Sequence, residues 1–446
     1  MIMKKVILFF TFVACLPAVQ AQQADEVEII DIDEGDSLYH EESSVVLLYD
    51  ARPIFPRRNP TAIPVGSSLT DMFLRIERQF QDPRAPRFIL INRKSTMALG
   101  IGGYVKGTLS VDFKGMADNR DFVTYAIPTP DNPAQNGQFQ MDATTSRIFL
   151  SLVGNNRIMG DFTVYVESDF RGGGDGAFMR LRQAYVDMRD VKAGLAWSTF
   201  TDVAAGPPTI DNEGPCGTAS ARNVMIQYHP HIGKHWSMAI AVEAPSVTMT
   251  NSPHQNDAIA QRVPDIPMYI QYAWDETNSH VRLSGILRGL SYRDLVASKN
   301  RMELGWGVQL SGVTNITRRW IVYYDAVYGK GIEEYINDLG GNGFDLVPSG
   351  VPGQMTTPAV WAAMGGVQFN ITSRLFASAT YSQCRMYDGV LSPGTYRYAQ
   401  YAVGNLFYNL TKDCQIGVEY LYGRRVDRDN TAGHANRINL AIQYNF

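Results

Sequence analysis

The sequence predicts an all-β protein: a 16-stranded antiparallel transmembrane β-barrel, of the porin type, behind an irregular N-terminal periplasmic extension. Three observations predict this fold. Apolar and polar residues alternate in about sixteen segments, the connections between those segments alternate between short and long, and the chain ends on an aromatic residue.

The first alternating segment is the clearest. One face carries Leu99, Ile101, Gly103, Val105, Gly107, Leu109, Val111 and Phe113, and the other carries Gly102, Tyr104, Lys106, Thr108, Ser110, Asp112 and Lys114. A strand with lipid on one side and water on the other has this period of two. A soluble β-sandwich also alternates, but about sixteen segments, most of roughly ten residues or more, favour a membrane barrel.

The last segment, Asn436 to Phe446, indicates the compartment. Its apolar face comprises Ile438, Leu440, Ile442, Tyr444 and Phe446. A barrel strand that stops on a C-terminal phenylalanine resembles the signal that the outer-membrane barrel assembly machinery recognises. We therefore expect the outer membrane of a Gram-negative bacterium, contact with its lipid, and assembly by that machinery through Phe446.

The lengths of the connections give the orientation. The short ones are Asn155–Gly160, Pro230–Lys234, Glu276–Asn278, Thr314–Thr317, Ile371–Ser373 and Thr411–Asp413, and the long ones are Gly115–Thr144, Thr201–Ala221, Ala244–Ile266, Gly331–Thr357 and Gln383–Thr395. Outer-membrane barrels have short periplasmic turns and longer outside loops. The alternation therefore places the long connections outside the cell, with two shorter outer loops at Arg171–Gly176 and Ser298–Arg301.

Three regions divide the chain. The pattern of residues 1–21 predicts a cleaved signal peptide. Lys4 and Lys5 precede a short apolar core, and Val19-Gln20-Ala21 is the expected cleavage site. Residues 22–96 predict the periplasmic extension, in which Leu69 to Gln81 has a short helix-like pattern, and residues 97–446 predict the barrel. The extension either plugs or caps the barrel mouth, or is a disordered linker.

Composition excludes several other classes of protein. The mature chain contains no run of 18 apolar residues, so no transmembrane helix is predicted. The net charge of -4 argues against binding nucleic acid by bulk charge. The three mature cysteines, Cys216, Cys384 and Cys414, are an odd number, which argues against a full disulfide framework. No catalytic motif is apparent, so we expect neither an enzyme nor a cofactor.

The predicted inward face of the barrel is rich in charge. Candidate pore-lining bases are Lys106, Arg147, Arg180, Arg182 and Arg288, and inward acids include Asp112, Asp161, Glu167, Asp169 and Glu419. Arg180 and Arg182 lie on one face of one strand and are suited to hold a carboxylate or phosphate. Alternatively, these arginines pair with the acids of neighbouring strands and give a balanced wall. If they bind anions, replacing both with Ala should lower the preference for anions.

The third outer connection, Thr201–Ala221, is rich in Pro, Gly and small residues and contains Asp211 and Glu213. In general porins the third loop folds inward and narrows the channel. We expect the same here, with Asp211 and Glu213 facing the inward bases. The alternative is an ordinary surface loop.

Three further motifs are weak. His229, His231 and His235 have a spacing that suits a divalent metal, but they lie at a predicted periplasmic turn. Glu333, Glu334, Asp338 and Asp345 in one outer loop suit Ca²⁺ or simple solvation. The glycine-rich run Arg171–Gly176 lacks the GK[ST] ending of a phosphate-binding loop. We predict no metal site.

A family resemblance is carried by the residues from Thr145 to Gly217. The motifs are Thr145-Ser146-Arg147, Val166-Glu167-Ser168-Asp169-Phe170, Leu181-Arg182-Gln183-Ala184-Tyr185, Gly194-Leu195-Ala196-Trp197-Ser198-Thr199-Phe200 with Asp202, and Asp211-Asn212-Glu213-Gly214-Pro215. In order and spacing this run resembles the DcaP-like porins. The resemblance implies a trimeric 16-stranded porin for small anionic solutes such as dicarboxylates. Two departures are Gln183, where a histidine is expected, and an extension without a long heptad helix.

Together, these features predict a passive diffusion channel of the outer membrane for small hydrophilic, anionic solutes. A homotrimer is expected. The alternative is a non-conducting or plugged barrel that acts in binding or adhesion, and the long N-terminal extension keeps that alternative open.

Overall fold

The computed structural model of the chain describes residues 44–47, 69–76, 78–92, 96–116, 120–173, 178–274, 279–387 and 391–446. The predicted signal peptide lies outside the described residues. So does Asp175 in the glycine-rich run.

Sixteen long strands dominate the fold. In chain order they are β1 (Met97–Lys114), β2 (Arg147–Asn156), β3 (Gly160–Gly172), β4 (Phe178–Met188), β5 (Val191–Trp197), β6 (Arg222–Tyr228), β7 (Trp236–Glu243), β8 (Ile266–Trp274), β9 (Ser279–Asp294), β10 (Lys299–Asn315), β11 (Trp320–Lys330), β12 (Ala359–Asn370), β13 (Leu375–Tyr387), β14 (Tyr396–Asn409), β15 (Cys414–Asp427) and β16 (Ala432–Asn445).

The remaining elements are short. The further strands are Ser44–Leu47, Phe88–Ile91, Gln138–Asp142, His231–Ile232, Asn256–Ala258, Val347–Pro348 and Met355–Thr356. One helical turn, Leu69–Met72, continues into a 3₁₀ turn at Phe73–Arg75, and other 3₁₀ turns are Thr124–Ala126, Pro133–Gln135, Val203–Ala205 and Glu333–Tyr335. Among the described residues no helix is long and apolar enough to cross a membrane.

The sheet closes on itself. Each long strand pairs antiparallel with the next, and β16 pairs with β1 from Asn436 opposite Lys114 to Asn445 opposite Tyr104. The backbone of Phe446 then exchanges two 3.0 Å hydrogen bonds with Gly103. A closed sheet leaves no edge with unpaired backbone groups, which is the condition for crossing a bilayer with strands. The prediction of a 16-stranded antiparallel barrel is confirmed.

The predicted faces of the strands are also those observed. In β1 the side chain of Val105 is 58 % exposed on the outside, whereas Tyr104 and Lys106 are buried inside. In β16 Ile442 is 53 % exposed, whereas Arg437 is 1 % exposed and binds Asp112 of β1 through two hydrogen bonds. Apolar side chains thus face lipid, and polar side chains face the lumen.

Two details differ from the sequence prediction. The outer connection predicted at Gln383–Thr395 is shorter, because β13 continues to Tyr387 in full register with β12. The helix-like pattern from Leu69 to Gln81 is helical only to Arg75. Beyond that point the chain turns so that Phe80 packs against Phe376 and Phe407, with ring centroids 5.9 and 5.0 Å apart.

Candidate solute pathway

The third outer connection, Thr201–Ala221, enters the lumen, where most of its residues are buried. We call this segment the constriction loop. Near its start, Asp202 Oδ2 lies 2.8 Å from His280 Nε2 and accepts a 2.7 Å hydrogen bond from Ser311. Burial opposes ionisation of Asp202, but the charges of Arg282 and His280 outweigh it and hold the pKa of this carboxyl below its usual range.

The middle of the constriction loop reaches the opposite wall. The backbone N–H groups of Ile210 and Asp211 donate to the two carboxylate oxygens of Glu419 at 2.6 and 2.9 Å. Lys106 Nζ donates to the carbonyl of Ile210 at 2.7 Å. Gly217 N–H donates to Ser382 Oγ at 2.8 Å. These anchors on distant strands fix the loop across the barrel rather than on its surface.

A second segment enters the lumen from the periplasmic end. Residues 69–91, here called the N-terminal segment, place Ile76 against Phe149, Tyr165 and Tyr185 of the inner wall. Arg147 donates a 2.7 Å hydrogen bond to Asp82, and the two side chains are 1 % and 3 % exposed. These residues therefore occupy part of the barrel mouth.

The two segments touch each other inside the barrel. Gln81 Nε2 donates to Thr209 Oγ1 at 2.6 Å and also to the carbonyl of Asp211. The N-terminal segment thus contacts the constriction loop from its periplasmic side and helps to hold it in place. Further along, Arg84 and Arg87 bind the turn at Lys412 and Asp413.

Outer connections fill a large part of the lumen on one side. A continuous apolar cluster joins the first outer connection, the constriction loop and the connection after β11 to the inner wall of β9 and β11–β16. Its members include Phe122, Phe200, Ile332, Tyr335, Phe344, Tyr396, Tyr401 and Leu421. This packing excludes water from that side, so an aqueous route must follow the other wall.

Two cavities lie along that other wall. The outer cavity, of about 340 Å³, is bounded by the constriction loop, by Gln79 to Gln81, and by wall arginines that include Arg147, Arg180, Arg182 and Arg222. The inner cavity, of about 520 Å³, lies at the periplasmic end and is bounded by Arg75 and Ile76 and by strands β3 to β9. Trp197 and Thr201 border both cavities. The cavities therefore follow one another along β2 to β9, and these two residues mark the junction.

Most arginines of the outer cavity are paired with acids. Arg180 binds both oxygens of Asp169, at 3.0 and 2.6 Å, and Arg182 binds Glu167 at 2.7 Å and Asp169 at 3.1 Å. A one-residue bulge in the pairing of β3 with β4 lets Arg182 and Gln183 both stay buried. The balanced-wall alternative thus describes this pair of arginines.

The chain also matches a known family of outer-membrane proteins. A sequence profile of the DcaP outer membrane protein family matches residues 95–344, which is more than half of the chain. The chain belongs to the DcaP outer membrane protein family. The outer-membrane location and the family recognised in the sequence are therefore confirmed.

Solved structures agree with the fold of this DcaP family member. The outer membrane channel DcaP of Acinetobacter baumannii superposes with a TM-score of 0.69 at 20 % identity, over 79 % of this chain and 98 % of that one. OmpT, an outer membrane protein of Vibrio cholerae, gives a TM-score of 0.50 at 10 % identity over 78 % and 98 %. A search of curated protein sequences gave no match. The chain has the fold of an outer-membrane channel.

The predicted pore residues fall into two groups in this DcaP family member. Arg147, Arg180, Arg182 and Glu213 line the outer cavity. Lys106, Asp211 and Arg288 do not, because each is buried in the packing of loops. Lys106 holds the constriction loop, Asp211 Oδ1 accepts a hydrogen bond from Phe122 N–H, and Arg288 binds Asp265 and Asp345 at 3.0 and 2.8 Å.

Two cavity residues of this DcaP family member were missed as pore residues in the sequence. The alternation of apolar and polar residues singles out neither Trp197 nor Arg222 as a pore residue. They lie opposite each other in the register of β5 and β6, and Arg222 Cζ is 5.1 Å from the centroid of the Trp197 ring. Each is the end residue of its strand beside the constriction loop, where strict alternation no longer predicts direction. A basic residue directly after a predicted inward loop is the signal that identifies Arg222.

Arg222 differs from the other cavity arginines in its partners. Its Nη1 donates to the carbonyl of Arg182 at 3.3 Å, and no carboxylate binds it within the part of the chain that the structure describes. The Trp197 indole Nε1 also lacks a hydrogen-bond partner among these residues. An arginine without an acid retains its attraction for a passing anion.

Glu213 is an acid of the constriction loop that borders the outer cavity in this DcaP family member. Burial, together with the charges of Asp121 and Asp211, raises the pKa of Glu213 well above its usual range. It therefore takes up a proton at a higher pH than an ordinary glutamate. We expect the anion-to-cation permeability ratio to increase as the pH is lowered through this raised pKa, because the loop loses a negative charge.

Reversal potentials measured in a salt gradient at several pH values would test this expectation. Glu213→Gln should show, at every pH, about the ratio that the wild type reaches only at low pH, and therefore a smaller pH response. Glu334→Gln removes an acid of another outer connection, one that does not border the cavity, and should behave as the wild type. An unchanged pH response in Glu213→Gln would contradict the assignment.

Several residues of the other candidate motifs have ordinary structural partners. His229 Nε2 lies 2.9 Å from Asp187 Oδ1, and His235 Nδ1 lies 2.9 Å from the carbonyl of Ala273. Asp345 binds Arg288 and accepts hydrogen bonds from the N–H groups of Thr248 and Glu334. In the described ranges no three His, Cys, Asp or Glu side chains form a group able to hold a metal ion.

Proposed function

We propose that this protein is a passive diffusion channel for small hydrophilic solutes with an anionic group, such as dicarboxylates. The main supporting observation is the pair of cavities in series, with Arg222 at the outer cavity lacking a carboxylate partner in the described chain. A solute carboxylate would take the place of that missing acid. The paired arginines contribute less, since their charges are already balanced by Asp82, Glu167 and Asp169.

The constriction loop narrows the route in this proposal, and no chemical step is involved. A solute would pass between Arg222 on the wall and Glu213 on the loop, then past Trp197 and Thr201 into the inner cavity. Opposed rings or rows of charge are a general means of selectivity in pores. Lys106, Asp211 and Arg288 would act indirectly, by holding the loops that shape the route.

The assembly and its partners belong to the same proposal. We propose a homotrimer in outer-membrane lipid, as the family resemblance implies, inserted by the barrel assembly machinery through Phe446. We expect no nucleic-acid partner, because the net charge of the chain is -4.

Single-channel recording of the full-length protein in planar bilayers tests the proposal. Conductance in steps of three, with a reversal potential that favours anions, is the expected result. A reversal potential that favours cations would contradict anion selectivity. Single steps would contradict the trimer but leave the channel intact.

A plugged binding barrel is the second candidate. The observation that favours it is the contact between the N-terminal segment and the constriction loop through Gln81, beside apolar packing that fills one side of the lumen. The same recording separates the two. Folded protein that inserts but does not conduct would support the plugged barrel and reject the channel.

A further inference from the structure

Two arginines on the lipid-facing surface stand apart from the pathway. The burial pattern of β13 places Arg385 on the same face as Tyr381 and Tyr387, which are 49 % and 47 % exposed. The pattern of β15 places Arg424 on the face of Tyr420, which is 47 % exposed. Both arginines therefore point away from the lumen. A charge on this face is costly at the bilayer midplane and nearly free at the interface.

Their height places them at the outer interface. Arg385 lies ten residues above Leu375, where β13 begins at the periplasmic end, and Arg424 lies ten residues above Cys414 in β15. Ten residues of strand rise roughly 33 Å, or about 25 Å along the barrel axis at the usual tilt, which is the height of the apolar band. The two guanidinium groups thus meet the headgroups of the outer leaflet.

The register brings the two arginines to one patch. Arg385 pairs with Tyr398 of β14, and Arg424 pairs with Gln400, two residues further along the same strand. Two strand spacings and one two-residue step separate their Cα atoms by roughly 12 Å. Side chains as long as arginine can reach one ligand from both sides of such a gap.

Neither arginine has an acid in the part of the chain that the structure describes. Arg385 Cζ lies 4.9 Å from the ring centroid of Tyr387 and 5.7 Å from that of Tyr398. The Nε atoms of Arg385 and Arg424 are buried and lack a hydrogen-bond partner among those residues. Asp131, a carboxylate near this rim, is held by Lys114 at 2.7 Å and by His434 at 3.6 Å.

We propose that Arg385 and Arg424 form a binding site for a phosphate group of lipid A, the phosphorylated glycolipid of the outer leaflet. Phosphate oxygens would accept hydrogen bonds from both guanidinium groups. The acyl chains would lie along the side chains directly below on the same faces of β13 and β15, such as Tyr381 and Tyr420. Charge complementarity favours an anionic amphiphile at this site, because the patch combines two cations with an adjoining apolar surface.

Native mass spectrometry of the full-length, detergent-solubilised protein tests this site. Bisphosphorylated lipid A and the same lipid stripped of both phosphates are titrated separately. We expect the wild type to prefer the phosphorylated lipid, and Arg385→Gln with Arg424→Gln to lose that preference by about tenfold or more, as expected for charge-assisted hydrogen bonds. Conductance of the double variant should be unchanged, so this result does not depend on the proposed channel function.

The control is Arg318→Gln with Arg319→Gln, two exposed arginines of the periplasmic turn after β10. This control should bind phosphorylated lipid A as the wild type does. Equal binding by the Arg385 and Arg424 variant, or an equal loss in the control, would overturn the site. Displacement of lipid A by an equal concentration of inorganic phosphate would also overturn it, because the acyl chains would then contribute nothing. Circular dichroism checks that every variant is folded.

Discussion

Releasing the N-terminal segment from the lumen is expected to raise the single-channel conductance by about twofold. The segment occupies part of the barrel mouth, and its backbone is roughly 5 Å wide, so its release widens the aqueous route. The variant combines Phe80→Ala with Asp82→Asn. Phe80→Ala removes a partly buried ring that packs against Phe376 and Phe407, at a cost of at most roughly 3 to 5 kcal/mol. Loss of the Asp82 carboxylate removes the charged partner of Arg147. Both changes weaken the contacts that hold the segment beneath the constriction loop.

The same variant should also shift selectivity toward anions. Arg147 borders the outer cavity and would keep only Glu167, at 3.5 Å, as a described acidic partner. Conductance and reversal potential are recorded together in planar bilayers. Phe88→Ala is the matched control, because this phenylalanine lies in the same segment with its ring 46 % exposed. An unchanged conductance in folded protein would show that the segment does not limit the route.

The second large effect is expected at Arg222. Arg222→Gln should reduce the anion-to-cation permeability ratio by about tenfold or more, because a charge-assisted hydrogen bond contributes about 1.5 to 3 kcal/mol and each 1.4 kcal/mol or so is a factor of about ten. Arg222→Glu should reverse the preference, since it places a second acid beside Glu213 on the lining of the outer cavity. Arg180→Gln should have the smaller effect, because Asp169 already neutralises that guanidinium.

Reversal potentials under a salt gradient measure these ratios directly. Arg318→Gln removes a positive charge from the periplasmic turn after β10 and should leave the ratio unchanged. Equal effects of Arg222→Gln and Arg180→Gln would contradict the special role of Arg222. Binding of a dicarboxylate, measured as transient current blocks, should weaken in Arg222→Gln in parallel with the ratio.

The sequence of the constriction loop predicts its inward fold but not the roles of all its residues. Its length, composition and position predict an inward fold, and the structure places it across the lumen. The role of Asp211 could not be predicted in the same way. In sequence it is an acid in a pore loop, but its carboxylate accepts hydrogen bonds from the N–H groups of Phe122 and Gly214 and is buried. Only the folding of the first outer connection against the loop decides this.

The sequence by itself determined the barrel, the number of its strands, the faces of each strand and the direction of the connections. These properties follow from a period of two and from turn lengths, which are local along the chain. Tertiary structure alone decided which arginines of the lumen are paired with an acid and where the N-terminal segment lies. Arg180 and Arg222 look alike in sequence, but Asp169 lies beside one and not the other. Such pairing joins residues on different strands and loops, and local patterns carry no information about those distances.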